Sequence, residues 1–105
     1  MDVQLKRGLL DLCVLAAIAQ EESYGYQIVK DMSPFVEISE STLYPILRRL
    51  EAANCLCVRS VEHAGRLRKY YYITPLGRAR LAQFSSDWKE LQAIHDFIMD
   101  RGKQP

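Results

Sequence analysis

The chain has 105 residues, enough for one domain with its own core and too few for two. Its composition, 49% hydrophobic and 26% charged, is that of an ordinary globular protein, and it contains no apolar run long enough to span a membrane. The formal net charge is only +1, yet residues 41–80 hold eight Lys and Arg against two acids while the remainder holds six against eleven.

The N-terminus, MDVQLKRGLLDLCVLAAIAQ, imitates a signal peptide with its basic pair and apolar run. Asp2 and Asp11 interrupt it, and no small-residue cleavage site follows cleanly, so it is read as the first helix of a cytoplasmic protein. Residues 5–19 are apolar apart from Lys6, Arg7 and Asp11. Leu5, Leu9, Leu12 and Ala16 fall on one side and Leu10, Val14 and Ala17 on another, which predicts a helix buried around most of its circumference. After a polar turn at residues 20–23, Tyr24 to Met32 form a second helix, with Ser23 as N-cap and Ser33-Pro34 as its end.

The third helix lies within ISESTLYPILRRLE, Ile38 to Glu51. Leu43, Ile46, Leu47 and Leu50 make one apolar stripe. Ser39, Ser41 and Thr42 all offer capping oxygens, which leaves the start open. A start near Thr42 tolerates Pro45, whereas a start at Ser39 loses one hydrogen bond. Asn54 is placed to close the helix in the left-handed conformation. Two strands follow, Leu56–Glu62 and Leu67–Ile73, separated by a turn at His63-Ala64-Gly65-Arg66. Tyr70 and Tyr71 alternate across the second strand, so one of them joins the core. Thr74-Pro75 then starts a last helix that meets no Gly or Pro until Gly102, a length of about 40 Å.

Three helices and a hairpin are the plan of a winged helix-turn-helix, mainly α with a small β wing. Residues 1–74 form that DNA-binding domain, and residues 75–105 a dimerisation helix with a short tail. The third helix then shows one face to the core and the other to DNA. Small polar residues at its start, Ser41 and Thr42 with Tyr44 beside them, let the backbone approach phosphates and bases. Arg48 and Arg49, flanking the apolar stripe, reach a phosphate or a guanine edge, and at least one of them is expected on DNA. Arg66, Arg68 and Lys69 bring the hairpin to a neighbouring groove. The basic middle of the chain agrees with this electrostatically. Lys6 and Arg7 are further candidates for phosphate, whereas Tyr24 and Tyr26 read as packing residues and His63 as an idle tip residue.

The chain resembles the PadR-like transcriptional regulators over about residues 5–98. The resemblance rests on Tyr24–Ile28 (YGYQI), Ser41–Glu51 (STLYPILRRLE) and Arg68–Gly77 (RKYYYITPLG), in this order and spacing. It implies that the TLYP stretch opens the recognition helix and that Pro45 belongs to its standard form. It also implies a homodimeric repressor on a palindromic upstream site in double-stranded DNA. Because the chain stops soon after Gly102, it is similar to the short members with a single C-terminal helix. Tyr72, where relatives often carry a polar or basic residue, and Asn54, where they often carry glycine, depart from the pattern.

Leu81, Phe84, Trp88, Leu91, His95 and Ile98 recur at alternate spacings of 4 and 3, a dimerisation seam to which Ile94 and Phe97 add apolar surface. In short PadR-like proteins the position of Trp88 lies where two subunits meet and paired tryptophans sandwich flat aromatic compounds. The resemblance therefore implies an effector slot of Trp88 with Ser85, Asp87 and Gln92, walled by Leu10 or Val14, for a planar hydrophobic ligand; the alternative is an interface closed by side chains, with Trp88 as packing. Other classes carry less. Cys13, Cys55 and Cys57 are read as reduced, small apolar groups, because Cys55-x-Cys57 has the wrong spacing for zinc and no second pair. No metal or cofactor is expected, and no nucleophile, phosphate-loop or metal motif marks an enzyme. The remaining rival, a winged helix that binds only protein, has no need of a polar start and arginines on its third helix.

Overall fold

The computed structural model describes residues 1–103; Gln104 and Pro105, the end of the expected tail, lie outside the described residues. The order is helix α1 (Val3–Ala17), α2 (Gly25–Met32), α3 (Glu40–Ala52), strands β1 (Leu56–His63) and β2 (Arg66–Ile73), and helix α4 (Pro75–Arg101). The expected winged helix-turn-helix is present.

Helix α1 starts where Asp2 accepts the Gln4 and Leu5 N–H groups at 3.0 and 3.1 Å. Its inner face is Asp11, Val14, Leu15 and then Ile18. The expectation of burial around most of the helix is not met. Val3 and Leu5 are 71% and 52% exposed, because within one chain α2, α3 and α4 cover only the C-terminal half of α1. The cap assigned to Ser23 is also corrected. Tyr24 holds the cap position of α2. Ser23 instead exchanges both backbone hydrogen bonds with Tyr71 (3.0 and 2.7 Å), a one-residue third strand on the outer edge of β2.

Helix α3 takes the earlier of its two possible starts. The Ser39 hydroxyl accepts the Thr42 N–H at 3.2 Å, which leaves Pro45 inside the helix. Proline there withholds the N–H that Ser41 C=O would receive. The other end is closed by a residue in the left-handed conformation. Asn54 sits at φ 61°, its N–H reaches Glu51 C=O, and the Cys55 N–H reaches Leu50 C=O, both at 2.9 Å. That pair of bonds is a Schellman closure.

The hairpin is tighter than expected, with Ala64 and Gly65 alone in the turn at φ 53° and 78°. Both values belong to a type I′ turn, whose twist matches that of the strands. Pairing runs from Leu56↔Ile73 to His63↔Arg66. Tyr71 is the core tyrosine of its pair. At the start of α4, the Thr74 hydroxyl accepts the Gly77 N–H at 3.1 Å and donates to Asn54 C=O at 2.7 Å. Gly77 has to be glycine, because a Cβ would lie 2.2 Å from Cys55 C=O. One core joins these elements around Leu15, Ile28, Leu43, Leu47, Leu50 and Leu56. Cys55 is buried, Cys13 and Cys57 are partly so, and all three are free thiols.

Candidate nucleic-acid interface

With Leu43, Ile46, Leu47 and Leu50 turned into the core, α3 presents Ser41, Thr42, Tyr44 and Arg48 outward. The Ser39 hydroxyl lies 2.8 Å from that of Ser41 and 3.2 Å from that of Thr42, so three hydroxyls gather over the first turn. The exposed N–H groups of that turn carry the positive end of the helix dipole. Tyr44 is held by Gly25: a Cβ on Gly25 would come within 2.7 Å of the Tyr44 hydroxyl. Burial, with the Glu40 carboxylate beside it, raises the pKa of Tyr44.

The strand alternation divides the wing into two faces. Lys69 and Tyr71 face α3, where Lys69 joins Tyr44, Arg48 and Glu51 around a cleft of about 190 Å³. Arg59, Arg68 and Tyr70 occupy the other face. There the Arg68 guanidinium stacks 4.2 Å from the ring centre of Tyr24, and Tyr24 meets Tyr70 edge-on at 5.6 Å. Arg59 lies over Tyr70 and donates from Nε to Glu22 at 2.6 Å. Arg59 holds the Glu22 carboxyl below the usual carboxylate range. This ladder fastens the wing to the entrance of α2 and fixes Arg68 in place. A groove of about 880 Å³ between α3 and the wing is lined by Tyr24, Tyr44, Arg66, Arg68 and Lys69, among others. The structure thus brings together five of the eight residues singled out from the sequence: Tyr44, Arg48, Arg66, Arg68 and Lys69.

The other three lie apart from them. Ser41 belongs to the hydroxyl cluster at the start of α3. Thr42 opens onto a separate groove of about 720 Å³ between α1 and α3, shared with Lys6 and Arg7. Arg49 is turned away from the wing, with Nη2 2.5 Å from Oδ1 of Asp11. Arg80 of α4 reaches the other oxygen of the same carboxylate at 3.5 Å. This cluster was not foreseen. Its one local signal is an acid in the middle of an apolar helix, since a carboxylate so placed needs a cationic partner.

On α4, Leu81 packs against the core and Phe84 is half-buried. Trp88, Leu91, Ile94 and Ile98 remain 43% to 57% exposed. Trp88 lies 6.4 Å from Phe84 between ring centres. Ser85, Asp87 and Gln92 are exposed around it, with Asp87 accepting from Gln83 at 3.0 Å. Of the two expected walls of a slot at Trp88, Val14 is corrected. Val14 is wholly enclosed in the core of its own chain and has no surface to offer, and Leu10 lines the α1–α3 groove. Among the described residues no group of His, Cys, Asp and Glu is placed to hold a metal, and no helix is long and apolar enough to cross a membrane.

The model of the transcriptional regulator PadR-like family matches residues 14–83. This chain belongs to that family. It is therefore a transcription regulator of the PadR-like type and not an enzyme. It is 36% identical to an uncharacterized protein of Lysinibacillus sphaericus over 100 residues, 90% of this chain and 91% of the other. It is 34% identical to the transcriptional regulator Rv3488 of Mycobacterium tuberculosis over 89 residues, 84% of this chain and 83% of that one. A PadR-like transcription factor of Bacteroides fragilis superposes with a TM-score of 0.81 at 32% identity, covering 90% of this chain and 94% of the other. The fold is also that of Bacillus subtilis PadR in complex with operator DNA, with a TM-score of 0.69 at 22% identity over 72% of this chain and 46% of that one.

Proposed function

We propose that this PadR-like protein binds a palindromic site in double-stranded DNA as a homodimer and represses the gene it overlaps. The observation that carries the reading is the gathering of Tyr44, Arg66, Arg68 and Lys69 around one groove between α3 and the wing, with Arg48 in the adjoining cleft that shares Tyr44 and Lys69. In this reading α3 enters the major groove. Ser41 and Thr42 lie closest to the backbone, Arg48 reaches a phosphate or base edge, and the wing lays Arg66 and Lys69 along the next groove. Two copies joined through α4 place two such helices about one DNA turn apart. The unpartnered apolar stripe of α4 supports the dimer. A DNA-binding domain with a dimerisation helix is sufficient to occlude a promoter, which supports repression. Trp88, half-exposed beside Phe84, supports a slot for a flat hydrophobic effector with Ser85, Asp87 and Gln92 around it.

Fluorescence anisotropy on a duplex from its own upstream region tests the reading. Affinity is expected to fall steeply with salt, with a slope of about −0.9 per phosphate contact. Arg48→Ala is expected to weaken binding by about 1–3 kcal/mol. Binding unchanged by salt, or absent, sinks the DNA role. Titration of planar dyes against Trp88 fluorescence tests the slot: saturable quenching lost in Trp88→Ala, with release of DNA, supports it.

A further inference from the structure

Among the described residues Asp11 is the one charged side chain that is buried, at 6% exposure, and it sits in the middle of α1. Its two oxygens are divided between two helices: Oδ1 takes Arg49 of α3 at 2.5 Å and Oδ2 takes Arg80 of α4 at 3.5 Å. Arg80 also reaches the Cys55 thiol at 3.7 Å, immediately beyond the closure of α3. A buried carboxylate with no cation beside it would be expensive, and Arg49 and Arg80, each a little under half exposed, supply that charge from the solvent side. The side chains are long, but their heads are pinned to one small group on a third element. That arrangement ties α3 and α4 to the same point on α1. It also takes Arg49 out of the DNA-facing set to which its neighbour Arg48 belongs.

Resting on the DNA-binding reading above, we infer that Asp11 is a positioning residue for operator recognition: it clamps the recognition helix, through Arg49, and the C-terminal helix, through Arg80, to a single carboxylate. Arg49 acts through Asp11 and makes no contact with phosphate. The distinction matters because a phosphate contact strengthens binding to every duplex and adds to the salt slope, whereas a positioning contact strengthens only binding that depends on the placement of α3.

The test uses the full-length protein, with affinity measured across a salt series on the upstream duplex and on a mixed-sequence duplex of equal length. Asp11→Asn and Arg49→Ala are expected to lower affinity for the upstream duplex by about tenfold, and to leave mixed-sequence affinity and salt slope as in the wild type. Arg48→Ala serves as the contrast: it lowers both affinities and reduces the slope by about 0.9. Arg80→Gln, far along the chain from α3, is expected to repeat the selective loss, and it carries the test should Asp11→Asn fail to fold. Two outcomes overturn the clamp: a slope reduced by about 0.9 in Arg49→Ala, which puts Arg49 on a phosphate, or wild-type behaviour of Asp11→Asn and Arg80→Gln on both duplexes. A wild-type protein that binds neither duplex overturns the DNA reading itself, and the clamp with it.

Discussion

Residues up to Phe84 and the stretch of α4 beyond it draw on the same kinds of side chain and end in opposite states. In the first region Leu43, Leu47 and Leu50, three residues of one helix, have essentially no exposure. In the second, Trp88, Leu91, Ile94 and Ile98, spaced just as regularly, keep roughly half of theirs. The difference lies in what surrounds each helix. Helix α3 lies among α1, α2 and β1, so its stripe closes on its own chain, while the end of α4 runs past every other element in a molecule 67 Å long and 26 Å wide. Periodicity marks an apolar face in both cases. It says nothing of whether the partner is in the same chain. The first region closes on itself, and the second leaves its apolar face open.

The largest effect is therefore expected where the two regions behave most differently. Leu91→Glu places a charge on the open stripe, which costs about 3 kcal/mol or more if that stripe is covered by a second copy. Sedimentation should show a shift to monomer of more than a hundredfold in Kd, with the thermal unfolding of the monomer unchanged. Sedimentation identical to the wild type would remove the proposed dimer. The converse holds at Gly77, where α4 leaves the first region. Gly77→Ala forces a Cβ to within 2.2 Å of Cys55 C=O and is expected to cost about 3 kcal/mol of folding stability. Gly8→Ala has nothing within 4 Å of the new Cβ and is expected to stabilise α1 by up to about 1 kcal/mol. Chemical denaturation of the two variants measures both signs.

The same contrast explains how much was legible in the sequence. Features made by neighbours along the chain were: the Thr74 cap, Pro75 at the first position of α4, the left-handed Asn54 and the glycine turn of the wing. The stripe of α3 and the gathering of Tyr44, Arg48 and Lys69 followed from periodicity together with the family motif. What escaped joins distant residues. Ser23 has the chemistry of a cap, but the edge of β2 was free to pair with its backbone. Arg49 has the same chemistry as Arg48 one residue along α3, and its partner Asp11 lies 38 residues earlier in the chain. Val14 was offered to an effector slot because a helical face alone does not say which neighbour it meets. At Pro45 the early start of α3 won because Ser39 caps it, at the cost of one backbone hydrogen bond inside the helix.

Smaller effects sharpen the picture of the first region. Thr74→Ala removes both the cap of α4 and the bond to Asn54 C=O, and is expected to cost about 1–2 kcal/mol. A loss confined to the end of α4, visible by hydrogen exchange, would show that the junction is not part of the common core. Ala64→Asn works in the other direction. Ala64 sits at φ 53°, where asparagine is more at ease and where Asn-Gly suits the type I′ turn. It is expected to gain roughly 0.5 kcal/mol, with DNA affinity unchanged if the turn already holds its geometry.

The smallest effect is a pH dependence confined to the wing. Arg59 holds the folded-state pKa of Glu22 below its ordinary value of 4.5, first through the hydrogen bond and then through charge. A carboxylate whose pKa is lowered on folding contributes stability above its unfolded value and loses it as the pH falls through the folded one. The contribution is therefore complete at neutral pH and fades on the acid side of 4.5. Both partners are exposed enough for salt to screen the pair, so the effect is small and shrinks at high ionic strength. Glu22→Gln should flatten the acid limb for the β2 amides that the ladder of Arg59, Tyr70 and Tyr24 holds in place. The exchange of amides beyond Trp88 should not change, because nothing in that stretch touches the ladder. An equal response in both regions would mean that the wing and the end of α4 unfold as one unit, and the distinction between a region closed on itself and one left open would fail.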